Sequence, residues 1–433
     1  MAQFNKNTHQ YLGDGKSLFE VVMLADQYGN NIGPANPSGV AVDAFGRARM
    51  SLPLTLFDSS HRFSDNGLWA TSNTATTTYA FSTNEGLVNL NVDTTANAEI
   101  VRETTKVFSY QPGKSLLNMN TFVFSPAKTN LRQRVGYFSA QNGMYLELDG
   151  TTLSFVERTY TSGSLVETRI SQANWNIDPL TGTGPSLKTL DITKAQIMWM
   201  DIEWLGLGTV RMGFIIDGEI IHCHSFHHAN RIGTTYITTA TLPIRYEIKN
   251  TGITSGSSTM KQVCSTVISE GGYELRGKQN AIGTAITSAK ALATAGTFYP
   301  VVSIRLKSTS LDSIVIPTAV SFLGTGNGIN YNWRIIAGAT ITTGAWTSAG
   351  TDSAVEHTIV GTAMSGGRVL AQGYINSSNQ GSPSLDILKQ ALFQFQLERN
   401  TLAGTSDSFT LAVTSDTNTQ TCFGSIDWEE VTR

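Results

Sequence analysis

From about residue 51 onward, apolar and polar positions alternate with a period of two, in short runs. "TFVFS" (121–125), "RVGYFSA" (134–140), "MYLELDG" (144–150), "TLSFVERTY" (152–160), "VRMGFII" (210–216), "EIIHCHSF" (219–226) and "IRYEIKN" (244–250) each put every second side chain on one face. That is the pattern of a half-buried strand. Turn formers such as "QNG" and "DG" separate the runs, so the segment 51–276 predicts an antiparallel β-sandwich of jelly-roll type. The alternation resumes at "FYPVVSIRLK" (298–307) and continues through "SFTLAVTS" (408–415), which predicts a second β-sandwich over 298–433. Between them, the Ala-rich 277–297 reads as a linker or short helix. Residues 1–50 alternate poorly. "DQYGNNIGPANPSG" is turn chemistry, and two apolar patches flank it, so this part reads as an extended N-terminal arm. Its apolar residues Phe19, Val21, Met23 and Phe45, with Arg47 and Arg49 on one side of an edge-strand pattern, are the candidate assembly residues.

"IIHCHSFHHANR" (220–231) carries four of the seven histidines beside Cys223, which raises a metal site. The "DG" at 217–218 predicts a two-residue hairpin that sets Phe214 against Ile221, Met212 against Cys223, and Arg211 against His224. A three-residue "GLG" loop (206–208) then sets Glu203 against Arg211 and Ile202 against Met212. In this register Cys223 joins the core. His222 and His224 point the other way, into a polar row with Arg211, Glu203 and Asp201. Arg211 opposite His224 disfavours a dication, so no metal is expected. The alternative ligand set is His222, His224 and Asp201, with the small Gly213 leaving room.

Other chemistry is thin. "YQPGKS" (110–115) lacks the first glycine of a phosphate-binding loop and any helix after it. Asp201 and Glu203 have the spacing of a glycosidase carboxylate pair on one strand face. No nucleophile–base arrangement stands out, and neither a catalytic residue nor a cofactor is expected. Tyr331, Trp333 and Trp346, near Gly-rich loops, are candidate sugar-stacking rings, or else core.

Three segments resemble those of a family. "VDAFGRARMSLPLTLFDSS" (42–60), "DIEWLGLGTVRMGFIIDGEIIHCHSFHHANRIGTTYITTATLPIRYEIKNTG" (201–252) and "VISEGGYELRG" (267–277) are similar to stretches of virion structural proteins of tailed phages, especially marine ones. The resemblance is specific within 42–277 and thinner after about 300. It implies a particle component of the head, neck, tail or fibre, and it supplies no catalytic residues.

Composition adds to this picture. Charged residues make up 15% of the 433, and the net charge is −3, so no basic excess points to nucleic acid. Three scattered cysteines, Cys223, Cys264 and Cys422, suggest neither a disulfide framework nor a zinc ribbon. No signal pattern and no membrane-spanning run is expected. The expectation is a virion structural protein, made in the host cytoplasm, that acts through contacts as a homo-oligomer, a trimer favoured, and with other virion proteins. A receptor- or glycan-binding module, with a host surface glycan as partner, is the alternative. A metal-dependent enzyme is the third reading.

Overall fold

A computed structural model describes residues 9–11, 18–20, 52–272, 277–379, 395–397, 399–400 and 405–431. The chain divides into two units, Met1–Leu52 and Pro53–Arg433. In the first, His9–Tyr11 pairs antiparallel with Leu18–Glu20. Phe19 lies on that second strand; Val21, Met23, Phe45, Arg47 and Arg49 lie outside the described residues.

The second unit is built of antiparallel strands, and among the described residues its helical content is two short 3-10 turns, Gln172–Asn174 and Ser377–Asn379. Two large sheets face each other over residues 54–269. One runs in the order Val166–Ser171, Thr152–Thr159, Gly143–Asp149, Leu131–Phe138, Ile244–Asn250, Glu99–Thr104, Trp69–Asn73. The other runs Glu219–Phe226, Val210–Ile216, Gln196–Ile202, Leu116–Val123, Ser258–Ser269, Leu87–Val92, Thr78–Ser82, with Leu54–Ser60 also on Ser258–Ser269. The period-two pattern does what it predicts. Val135, Tyr137, Leu146, Leu148, Phe155, Tyr246 and Ile248 meet Met198, Met200, Met212, Phe214 and Phe122 in one apolar cluster.

A second cluster, with Val302, Ile304, Tyr331, Leu411, Ile426 and Trp428, lies between a six-stranded sheet and a four-stranded one. Here the Ala-rich segment corrects the expectation. Lys278–Gly283 and Lys290–Leu292 are strands on the long strand Gln420–Glu430, neither linker nor helix. Helix propensity is a weak preference, and a sheet edge that pairs the inward backbone groups of these segments outweighs it.

One part of the first core is polar. Arg102 is buried between the sheets: Nε donates to Gln262 Oε1 (2.6 Å), Nη1 to Thr71 Oγ1 (2.8 Å), and Nη2 to Asp65. Next to it His61 is buried, and neither ring nitrogen has a hydrogen-bond partner among the described residues. Burial first, then the Arg102 guanidinium, lowers the His61 pKa from 6.5 to about 4, with Asp65 opposing. The folded state therefore keeps this imidazole neutral where the unfolded chain protonates it. The stability is whole above pH 6.5 and is lost as pH falls from 6.5 through about 4, on the order of 3 kcal/mol in all. Urea midpoints measured across this window should fall with pH, and His61→Leu should flatten the slope. An unchanged slope in that variant would remove His61 as the cause.

Candidate functional site

The histidine strand begins as the turn chemistry predicts. Asp217 and Gly218 both take positive φ, and Ile216 faces Glu219, Phe214 faces Ile221, and Gly213 faces His222. Beyond that point a β-bulge intervenes. Met212 faces His224 and Arg211 faces Ser225, so Cys223 is the extra residue. Its carbonyl leaves the ladder and accepts from Ile177 N (3.1 Å) and Asp178 N (3.0 Å). The consequence overturns the expected polar row: His222 and His224 do not share a face. His224 turns inward with Met212, lies parallel to the Phe155 ring and edge-on to Phe226, and accepts from Asn176 N (3.2 Å). Burial lowers its pKa to about 4. His222 stays on the other side, beside the Trp199 indole and Ser225 Oγ (2.9 Å). The room beside Gly213 is filled by Trp199, whose Nε1 donates to Ile221 O (3.2 Å). Cys223 is in the core, as expected, and burial pushes its thiol up.

The preceding loop is longer than "GLG". Ile202 faces Val210 and Asp201 faces Arg211, so the register differs from the expected one by two residues. The ion pair of this hairpin is Arg211–Asp201. Glu203 has left the strand and accepts from Thr209 N (3.2 Å), so it shares no strand face with Asp201. Among the described residues no three His, Cys, Asp or Glu side chains are grouped to hold a metal ion.

A third histidine of the cluster, His228, braces this loop. His228 is buried, its ring stacked on Tyr236 at 3.9 Å. Its Nδ1 donates to Gly208 O (2.5 Å), and Nε2 lies 2.6 Å from Glu157 Oε2 on the opposite sheet. Tyr236 N donates to Gly206 O (3.1 Å), Tyr236 OH to Glu203 O (3.2 Å), and Gly208 N to Trp204 O (2.7 Å). The loop so held turns Leu205, at φ +38°, and Leu207 outward, 57% and 41% exposed. Ile232, 40% exposed, follows on the neighbouring turn. A left-handed leucine is strained, and such strain persists where surrounding bonds over-determine it.

A second surface went unread in the sequence. On the face of the seven-stranded sheet away from the core, one cross-strand row reads Glu147, Arg134, Glu247. The next reads Arg169, Val156, Tyr145, Gly136, Arg245, Glu103. Arg134 Nε donates to Glu147 (2.7 Å) and Nη1 to Glu247 (3.4 Å). Arg245 bonds Glu247 and Glu103 (2.7 Å each), and Arg169 Nε bonds Glu147 (2.6 Å). At the centre Arg134, Glu147 and Glu247 side chains are 4%, 1% and 2% exposed. Tyr145 and Phe138 stack beneath Arg158, whose guanidinium lies 5.0 and 5.4 Å from their rings. The rings sit over Gly136 and Gly143, where a Cβ would strike backbone. Burial alone would raise the Glu247 pKa, but Arg245, Arg134 and Arg132 outweigh it and hold it down at about 2. A carboxylate so held stays ionised at neutral pH, and its bonds go to the neighbouring strands of its own sheet. The signal was present as alternating charge in "LRQRV", "YLELD", "VETRI" and "IRYEI".

The candidate stacking rings are spoken for. Tyr331 is in the second core, Trp333 packs against that core and over Gly373, and Trp346 lies under Arg305 at 4.0 Å. An open cavity of about 500 Å³ lies where residues 54–58 and 105–109 meet Ile314, Ile316 and Gln396. Its walls are mainly apolar.

No family model matches the chain, and no curated protein matches it. Among solved structures, it is similar to a protein of unknown function from Shewanella oneidensis (13% identity, 52% of this chain and 90% of that one, TM-score 0.34). It is similar to a GH16 protein of a Bacteroides ovatus mixed-linkage glucan locus (10%, 49% and 99%, TM-score 0.33). It is also similar to a carbohydrate esterase from the Shiga toxin-encoding bacteriophage phi24B (11%, 50% and 99%, TM-score 0.31). These scores are low, and the fold description rests on the sheets themselves.

Replacing Arg134 removes the cation shared by two buried carboxylates, which then keep only Arg169 on Glu147 and Arg245 with Arg132 on Glu247. Arg134→Met should cost up to about 3 kcal/mol, the lower end of the range for breaking a buried pair outright. Glu247 adds a pH dependence: its depressed pKa contributes stability above about 4.5 that is lost as pH falls toward 2. Urea unfolding of both proteins at pH 7 tests the first value. A loss under about 1 kcal/mol, the range of exposed pairs, would mean the row is solvated.

Proposed function

We propose that the chain is a structural part of a phage particle, in its head, neck, tail or fibre, and that it acts by contact without catalysis. The observation that carries this reading is the braced loop Glu203–Thr209. Apolar side chains on a flexible loop fold back when free. Here backbone bonds, Tyr236 and His228 keep Leu205 and Leu207 facing outward. Covering a leucine contributes roughly 1.5–3 kcal/mol, so two on a rigid frame form a useful centre for a subunit contact. The resemblance of segments 42–60, 201–252 and 267–277 to virion proteins supports the reading, and the second of them contains the loop and both bracing residues. The partners in this reading are further copies of the chain, a trimer favoured, and other virion proteins. No cofactor enters. The place of action is the virion, after synthesis in the host cytoplasm.

A second reading, a glycan-binding module of the same particle, is favoured by a separate surface. Tyr374, on the edge strand Arg368–Asn376, exposes 77% of its area.

The contact reading is tested by Leu205→Asp with Leu207→Asp. Both positions are exposed, so the thermal midpoint should stay within about 2 °C. The mass in solution should drop to that of a monomer, and mass spectrometry of purified particles should no longer find the chain. A variant that assembles and is incorporated like wild type would sink this reading.

A further inference from the structure

The outer face of the six-stranded sheet carries three cross-strand rows of planar or small polar groups around Tyr374. The central row is Tyr374, Asn332, Thr414, from the strands Arg368–Asn376, Asn330–Ala337 and Phe409–Ser415. One row along lie Gln372, Arg334 and Ala412; on the other side Asn376 and Asn330, with Asp416 just past the third strand. The outer rows are internally bonded. Arg334 Nε donates to Gln372 Oε1 (3.2 Å), Asn376 Nδ2 to Asn330 Oδ1 (2.8 Å), and Asn330 Nδ2 to Asp416 Oδ2 (2.6 Å). Arg334 is held further by the Phe298 ring, 4.0 Å away. The central row differs. Thr414 is 93% buried, and neither its Oγ1 nor Asn332 Oδ1 has a hydrogen-bond partner among the described residues.

We propose that this row is a binding site for a neutral saccharide, with the Tyr374 ring as the stacking platform and Asn332 and Thr414 as hydrogen-bonding partners of its hydroxyls. The inference rests on the glycan-binding reading above and gives it a location. Three properties of the surface select this ligand class. The exposed ring offers an apolar face and a polar hydroxyl at one site, which suits a molecule with both C–H and O–H groups. The unpaired carbonyl and hydroxyl oxygens gain from a ligand rich in donors, because a buried acceptor left unpaired is costly. The two charges that flank the row, Arg334 and Asp416, are opposite and already bonded to amides, so the strip has no net charge to attract an ion. The platform is stiff from behind. Gly373, next to Tyr374, has the Trp333 ring 2.6 Å from where a Cβ would stand, so this backbone approach admits glycine alone.

The test is calorimetric titration of the full chain with cellohexaose, mannohexaose, galactotetraose and chitohexaose. Wild type should bind at least one. Tyr374→Ala should weaken that binding about tenfold or more, while Tyr374→Phe, which keeps the ring, should stay within about threefold. Asn332→Ala should weaken it as well. Phe63→Ala, at an exposed ring far along the chain, should leave it unchanged. If wild type binds a saccharide and Tyr374→Ala binds it equally well, the location is wrong and the glycan reading survives. If wild type binds none of the four, the glycan reading and the site fall together.

Discussion

Arg134 stands between two glutamates from which water is almost excluded. Its guanidinium bonds Glu147 on one neighbouring strand and Glu247 on the other. Neither carboxylate tolerates that environment alone, since an uncompensated buried charge costs several kcal/mol. The three central strands of the seven-stranded sheet therefore have one register that satisfies all three groups. A slip of one residue would put these charges into the apolar core and Val135, Leu146 and Tyr246 outside. The core on one face and the charge ladder on the other enforce the same alignment. The opposite sheet packs against the surface so defined, and Glu157 from this sheet reaches across to His228.

That link ties the interior to the exposed loop. Glu157 lies on the strand Thr152–Thr159, whose Phe155 is in the core, and its carboxylate anchors the ring that holds Gly208 and stacks on Tyr236. The loop is thus an extension of the sandwich in mechanical terms. An assembly contact gains from this, because side chains already fixed in position lose less entropy when a partner covers them.

The second core is independent of these features. Its six-stranded sheet presents an amide-rich outer face and an edge strand with an exposed tyrosine, in place of a ladder of ion pairs. The contrast follows the spacing of residue types. Arg and Glu alternate with apolar residues in the first part of the chain; Asn, Gln and Thr do so in the second.

The period-two pattern was enough to read the all-β class, the positions of most strands, the turn at Asp217–Gly218 and the core place of Cys223. Each depends on local chemistry: side-chain alternation, a turn that wants positive φ, and the small apolar character of a thiol. The charge ladder was legible in part, as Arg and Glu at alternate positions, but its pairing needed the strand order, which joins Leu131–Phe138 to Ile244–Asn250 across more than a hundred residues. The bulge at Cys223 was not legible. It depends on Ile177 and Asp178 arriving to take the freed carbonyl, and on the Trp199 indole occupying the space over Gly213. Those contacts come from other strands and loops, so residue spacing in the hairpin alone could not place His222 and His224 on opposite faces. The same reason applies to the Ala-rich segment 277–297, whose residues 278–283 and 290–292 become strands because Gln420–Glu430 supplies an edge to pair with. Local periodicity determined which side chains alternate; only the tertiary structure decided what each face meets, because the partners that settle it are distant in the chain.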